Sequence, residues 1–305
     1  MVTEVGKLSA AALAPRDATD PGYVKIRDLI YRVSGIYHPE NKLYLLAERC
    51  GRRMQALSVR TPTEYLEHLT SRPNREAELR LLLNEITIGE TCMFRSLPQL
   101  DAVRRIILPQ IMETKAKLGF RKLRLWSAGC STGEEPYTLA MMLLEESQGA
   151  LKGWAFEIAA TDLNERSIEF AKAGVYGDYG LRNTTDHYKR RYMRPEGKNF
   201  CVADEVKSLI TFSRVNLQDD SKMLFMKGMD IIFCCNVLIY FDGPSKSRVI
   251  HHFYSNVLSG GYLLLGTSES LFQVNDEFRL VHFPQATAYW KPSLSAAGSA
   301  TGSAK

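Results

Sequence analysis

Over residues 20–90 apolar side chains recur every three to four positions, the period of helices that each bury one face. Tyr23, Ile26, Leu29, Ile30 and Val33 share such a face behind the helix start Asp20-Pro21, and Leu43, Leu46, Cys50, Met54 and Leu57 form a second stripe. Thr61-Pro62-Thr63-Glu64 is a capping box opening a third helix, and Leu79, Leu82, Leu83 and Ile86 mark a fourth. No strand pattern interrupts them, so residues 20–90 are expected to be a small all-helical domain. Ile86 to Arg95 reads as a linker, and Ser96 to about Lys117 as one long helix; 91–118 is thus a linker and connecting helix.

Beyond residue 119 the period changes. Leu123 and Leu125 alternate with Lys122, Arg124 and Trp126 as in a strand, Phe156 to Asp162 is a second, and Met229 to Asn236 is a continuous apolar run suited to a central parallel strand. Helical patterns lie between them: Tyr137, Ala140, Leu143 and Leu144; Asn164 to about Ala173; and Ser245 to about Leu258. Gly260-Gly261 reads as a break before a strand Tyr262–Gly266, and Phe278–Phe283 with Thr287–Trp290 as a closing hairpin. Strands alternating with helices predict a doubly wound α/β domain over 119–292.

Composition adds exclusions. The 305 residues, 45% apolar, suffice for two cores, and no stretch approaches the roughly 18 apolar residues of a membrane span. The start lacks a basic region followed by an apolar run, so a cytoplasmic protein is expected. Six scattered cysteines and six histidines lack the paired spacing of a metal site, so none is expected. A net charge of +5 is too small to suggest nucleic acid. Residues 1–19 and 293–305, without periodicity, read as mobile tails.

The candidate chemistry centres on Trp126-Ser127-Ala128-Gly129-Cys130-Ser131-Thr132-Gly133-Glu134-Glu135-Pro136-Tyr137, a strand, a glycine turn and a helix start. Gly129, Ser131 and Gly133 let backbone approach a ligand, and free N–H groups at the helix start face it. Glu134 and Glu135 at the mouth would repel a pyrophosphate but hold a ligand with an ammonium group and hydroxyls, the profile of S-adenosylmethionine. Asp162 ends its strand where nucleoside-binding folds keep an acid for the ribose. Asn236, Tyr240 and Asp242 follow the central strand at its carboxyl end. On the second helix Lys42, Arg49 and Arg53 share a stripe with Arg52 farther round, and between Lys42 and Arg60 five basic residues face one carboxylate, Glu48. That face suits an acidic partner.

With these motifs in order, Thr91-Cys92-Met93-Phe94-Arg95, the glycine turn, Ala160-Thr161-Asp162, Val215-Asn216-Leu217, Asn236-Val237-Leu238-Ile239-Tyr240-Phe241-Asp242 and Gly266-Thr267-Ser268-Glu269, the chain resembles the chemotaxis receptor glutamate O-methyltransferases (CheR) from about Tyr23 to Trp290. The resemblance implies a seven-stranded class I methyltransferase (Rossmann-like) sheet with the helical domain in front and a small β-subdomain inserted at about 178–212. It implies methyl transfer from S-adenosylmethionine to receptor glutamates, leaving S-adenosylhomocysteine. Position by position, Thr91 and Arg95 match linker residues that contact the cofactor, Arg95 set against the methionine carboxylate or the substrate acid. Glu135 matches the acid facing the methionine or ribose portion, and Asp162 the one accepting both ribose hydroxyls. Asn216 and Leu217 would bracket the adenine, Asn236 would lie by the methionine end, and Tyr240 near the transferring methyl. Gly89 stands where some members have Asn, and Cys235 where many have Arg, which removes a charge. The implied partners are the acidic helical hairpins of receptors, for which Lys42, Arg49, Arg52 and Arg53 are the candidate docking residues; a monomer is expected. The turn Met193 to Asn199 is short where other members carry a longer loop that docks a receptor C-terminal pentapeptide, so activity without that tether is expected. Two rivals are a nucleobase methyltransferase, disfavoured because Val237-Leu238-Ile239 replaces a Pro-Pro-aromatic run, and a non-catalytic cofactor-binding module that docks to receptors.

Overall fold

The computed structural model describes residues 20–292; both expected tails lie outside the described residues. Among those residues the chain divides into two compact units, 20–32 with 38–86, and 33–37 with 87–292.

The first unit contains four helices, α1 (Pro21–Ser34, whose last two residues pack with the other unit), α2 (Leu43–Ala56), α3 (Pro62–Thr70) and α4 (Arg75–Ile86). The apolar stripes meet inside: Tyr23, Ile26, Ile30, Leu46, Cys50, Met54, Tyr65, Leu82 and Leu83 are buried. The capping box forms, with the Glu64 N–H donating to Thr61 Oγ1 and the Thr61 N–H to Glu64 Oε2, both at 3.2 Å. Two charges break the pattern. Arg53 turns inward and donates from Nε and Nη2 to the two oxygens of Glu78 at 3.0 and 2.8 Å, and Tyr65 Oη donates to Glu78 Oε1 at 2.8 Å. Arg53 therefore does not share an open face with Lys42 and Arg49; a position beside the apolar stripe lets its guanidinium reach a carboxylate on α4. Arg52 is shared between Glu48 and Glu85, which offsets its charge. Lys42 is exposed and Arg49 half-buried.

The second unit starts with α5 (Leu97–Ala102), which continues through a π-helical stretch, Val103–Ile107, into α6 (Leu108–Lys117), the single long helix expected. There follow β1 (Lys122–Ala128), α7 (Glu134–Ser147), β2 (Ala155–Asp162), α8 (Glu165–Ala173), β3 (Val175–Tyr176), α9 (Asp186–Tyr192), β4 (Met193–Glu196), β5 (Asn199–Val202), α10 (Asp204–Lys207), β6 (Ile210–Arg214), α11 (Asp220–Met223), β7 (Met229–Cys234), α12 (Gly243–Asn256), β8 (Val257–Leu265), β9 (Arg279–Phe283) and β10 (Ala286–Trp290). Seven strands form one sheet in the order β6-β2-β1-β7-β8-β10-β9; the first five are parallel and β10 runs antiparallel to both neighbours, so a hairpin closes the sheet. This is the class I methyltransferase topology. β3, β5 and β4 make the small separate antiparallel sheet, with Glu196 opposite Asn199 across a Gly197-Lys198 turn.

The strand order reverses between β1 and β7, and there ligands bind at the carboxyl ends of open sheets. Core packing holds that edge: Trp126 is fully buried, its Nε1 donates to Thr161 Oγ1 at 2.9 Å, and its ring meets Phe253 edge-on at 5.2 Å. At the opposite edge Lys115 of α6 holds Asp230 with contacts of 2.8 and 2.7 Å. One sequence expectation fails. Gly260-Gly261 does not separate α12 from the strand, because β8 begins at Val257 and runs through both glycines. Gly260 takes a φ of +85° in that stretch, and the pairing with β7 shifts register between Met229 and Ile231. A Cβ on Gly261 would stand 2.6 Å from the Asp230 carbonyl oxygen, so the pair marks an irregular strand crossing closely over β7.

Candidate active site

The glycine turn after β1 is folded onto the end of β2. The N–H groups of Gly129 and Cys130 both donate to the Thr161 carbonyl, at 2.8 and 2.9 Å. Gly129, Ser131 and Gly133 all have positive φ, and a Cβ on Gly129 would lie 2.4 Å from Val237 Cγ2, so the loop after β7 rests directly on the turn. Gly89 of the linker lies over it, since a Cβ there would reach Ser131 Oγ at 2.7 Å. Ser131 Oγ is itself buried without a hydrogen-bond partner. A buried hydroxyl left unpaired costs free energy, so a polar ligand in the turn would find a group waiting for it.

The two adjacent acids part company. Thr132 Oγ1 donates to Glu134 Oε2 at 2.7 Å, and Glu134 lies towards Gly180. Glu135 turns to the end of β1 and accepts from Ser127 Oγ at 2.6 Å. Only Glu135 thus turns towards the end of β1, so the two carboxylates that the turn motif sets side by side have different neighbours. Burial raises the pKa of Glu135, and hydrogen bonds from Ser127 and Cys235 with the charge of Arg95 oppose that rise. Asp162, at the end of β2, accepts the Ser131 N–H on Oδ2 and the Asn164 N–H on Oδ1, both at 2.8 Å. A carboxylate has about four acceptor sites, so these backbone donors leave it capacity for a further one. Burial pushes this carboxyl up as well, against the pull of the Asn164 and Ser131 N–H groups.

The linker is fixed from two sides. The Phe94 N–H donates to Thr138 Oγ1 of α7 at 3.0 Å with Phe94 at φ +55°, and the Met93 N–H donates to the Gly180 carbonyl at 2.9 Å. Arg182 reaches the Thr91 carbonyl at 3.4 Å and stacks on Tyr179, whose hydroxyl donates to Glu90 Oε1 at 2.9 Å. No motif marks Arg182 or Tyr179; only the fold brings them to a linker some ninety positions earlier. Arg95 is exposed, and its Nη1 donates to the Glu90 carbonyl at 3.0 Å. Its positive charge opposes the burial-driven rise at both Glu135 and Tyr240.

Beyond β7, Asn236 takes a left-handed φ of +63°. Cys235 is half-buried beside Glu135, and burial pushes its thiol well up, so it supplies no charge. Tyr240 is half-buried; burial raises its pKa, and the Arg95 charge opposes the rise. Its carbonyl accepts the Tyr37 N–H at 2.9 Å, and Ile36 bridges to Phe241, so residues 33–37 brace this loop. Asn216 completes the brace, with Nδ2 donating to the Val33 carbonyl at 2.6 Å and Oδ1 accepting the Gln218 N–H at 3.0 Å. Leu217 is buried, its carbonyl facing His252 Nδ1 at 2.9 Å. Asp242 caps α12 by accepting the Ser245 N–H at 3.0 Å. Glu269, quoted above only as part of a motif, binds three backbone N–H groups in this loop and its neighbour.

The donors and acceptors suit a nucleoside with a cationic tail. Asp162 and Glu135 are acids of the kind that hold hydroxyls and an ammonium, Arg95 is a cation of the kind that holds a carboxylate, and Ser131 has an unsatisfied hydroxyl in a glycine cradle.

Residues 89–287 match the family described as CheR methyltransferase, SAM binding domain, and residues 21–87 that described as CheR methyltransferase, all-alpha domain. The chain is similar to a chemotaxis protein methyltransferase 2 of Vibrio cholerae serotype O1, with 30% identity over 90% of this chain and 94% of that protein. It is similar to a chemotaxis protein methyltransferase of Vibrio parahaemolyticus, with 34% identity over 81% of this chain and 88% of that one. Among solved structures it is similar to magnesium protoporphyrin IX methyltransferase (ChlM) from Synechocystis with bound SAM, at 13% identity and a TM-score of 0.33, over 92% of this chain and 96% of that chain, a likeness too slight to carry an argument.

Proposed function

The chain belongs to the CheR methyltransferase family of S-adenosylmethionine-dependent enzymes, and on that basis we propose that it esterifies glutamate side chains of chemotaxis receptors. The observation that supports this reading is the glycine turn after β1, whose Ser131 N–H is held by Asp162 at the end of β2 and whose Ser131 Oγ is buried without a partner. S-adenosylmethionine supplies a methyl on a sulfonium, an electrophile that needs no further activation. An exposed glutamate has a pKa near 4.3 and is already a nucleophile at neutral pH, so no general base is required of the chain. What the chain must do is hold and align. In this reading Asp162 accepts the ribose hydroxyls, Glu135 faces the ammonium and Asn236 lies by the methionine end. Thr91 and Gly89 border the cofactor from the linker, and Leu217 with Asn216 flanks the adenine. Arg95 fixes a carboxylate and Tyr240 turns the substrate acid towards the methyl. Alignment of this kind can supply up to about 7–11 kcal/mol.

The test is transfer of radiolabelled methyl to receptor-enriched membranes. We expect base-labile label on the receptor, whereas affinity for the cofactor with no transfer would favour a non-catalytic docking module. The same assay addresses the tether. Only Gly197-Lys198 separates β4 from β5, a turn too short to wrap a tail peptide, so receptors with and without their last five residues should be methylated at equal rates. A selective loss on the truncated receptors would refute this.

Docking falls to the basic side of the helical unit, chiefly the exposed Lys42 and the half-buried Arg49, with Arg52 partly neutralised by its own carboxylates. Reversing Lys42 and Arg49 to Glu should raise the receptor KM about tenfold at low salt, and the difference should shrink as salt screens exposed charges over about 8 Å. A KM indifferent to salt would remove this docking face. Among the described residues no helix is long and apolar enough to cross a membrane, so the receptor contact needs no insertion.

A further inference from the structure

We propose that Glu269 is a positioning residue of this site, a latch that joins the end of β8 to the loop after β7 and thereby sets where Asn236 and Tyr240 stand. The inference rests on the methyltransferase reading above. Glu269 Oε2 accepts the N–H groups of Gly266 and Asn236, both at 2.7 Å, and Oε1 accepts the N–H of Ile239 at 3.2 Å. β7 and β8 pair as far as Cys234 opposite Leu265, where the ladder stops and the next amides need new partners. One carboxylate supplies them for both chains.

Two further features show that the sequence makes room for the latch. A Cβ on Gly266 would stand 2.8 Å from Glu269 Oε2 and 2.9 Å from the Asn236 nitrogen, so only glycine leaves the carboxylate its place. Asn236 holds φ +63°, a conformation uncommon for a residue with a side chain, and its amide is the one that Glu269 binds. Ile239 belongs to the short 3-10 turn Leu238–Tyr240, and the Tyr240 carbonyl is tied on its other side to the Tyr37 N–H. The turn carrying Tyr240 is thus held at both flanks, by Glu269 and by Tyr37. Glu269 accepts three donors and faces no proton that the reaction moves, so its part is geometric.

Glu269→Gln tests this, because an amide keeps the size but turns an NH2 towards at least one backbone N–H. We expect kcat to fall at least tenfold with the receptor KM nearly unchanged, and affinity for S-adenosylhomocysteine, read by calorimetry without receptor, to weaken about tenfold. In a Tyr240→Phe background the substitution should add little further loss of kcat, as expected of residues acting through one another. A lower melting temperature with wild-type kcat and wild-type product affinity would overturn the proposal and leave Glu269 a purely structural group. Gly266→Ala is the second variant, since it displaces the carboxylate with Glu269 intact and should reproduce both losses. The calorimetric arm stands even if the wild-type chain methylates no receptor, which separates failure of the latch from failure of the functional reading.

Discussion

Asp162→Ala is expected to weaken binding of S-adenosylmethionine about a hundredfold, about 2.8 kcal/mol, while the protein stays folded. Hydrogen bonds to a charged acceptor are worth about 1.5–3 kcal/mol each, and in this reading the carboxylate accepts from the ribose hydroxyls beside its backbone donors. The loss is less than the sum because water can enter and serve the stranded Ser131 and Asn164 N–H groups. Titration calorimetry gives the number directly. The pH dependence follows from the same group. Burial raises Asp162 and Glu135, so lowering pH protonates them before comparable exposed acids and removes acceptor capacity and charge together. Affinity should therefore fall as pH falls, and the fall should be shallower in Asp162→Ala. Wild-type affinity in the variant would take Asp162 out of the cofactor site.

The second large effect concerns Arg53. Sequence periodicity sets it among docking residues, and a docking residue should change the receptor KM without changing stability. The structure predicts the reverse. Side chains of Arg53 and Glu78 are 13% and 7% exposed, and removing one member of a buried pair strands the other, at about 3–5 kcal/mol. Glu78→Ala should cost as much or more, because Tyr65 Oη loses its acceptor as well. The joint exchange Arg53→Met with Glu78→Leu should restore most of the loss, since apolar replacement of both partners is often tolerated. Denaturant melts with hydrogen exchange read over residues 20–86 would measure this. A stable Arg53→Ala protein with a raised KM would return the residue to the docking face.

Particular residues show what could be read beforehand. The central strand β7 is apolar at nearly every position because both its faces are covered, and that run was legible. So were the four amphipathic helices and the capping box, whose signals are local. The course of β8 was not, because a glycine pair signals a break unless the neighbouring strand's approach is known. The turn motif alone does not separate Glu134 from Glu135, though the family resemblance singles out Glu135; helical geometry sends them to different neighbours, Thr132 and Ser127. Glu269 was invisible as a functional group because its partners are backbone amides, which no side-chain pattern encodes.

The brace formed by residues 33–37 bears on how this enzyme can be cut. A fragment beginning at residue 87, where the two family matches adjoin, would lose the chain that satisfies Asn216 Nδ2 and the Tyr240 carbonyl and that bridges to Phe241. The helical segment is thus no detachable prefix: the stretch after its first helix packs as part of the second unit, and a truncation placed by sequence alone would pull that rib from behind Tyr240.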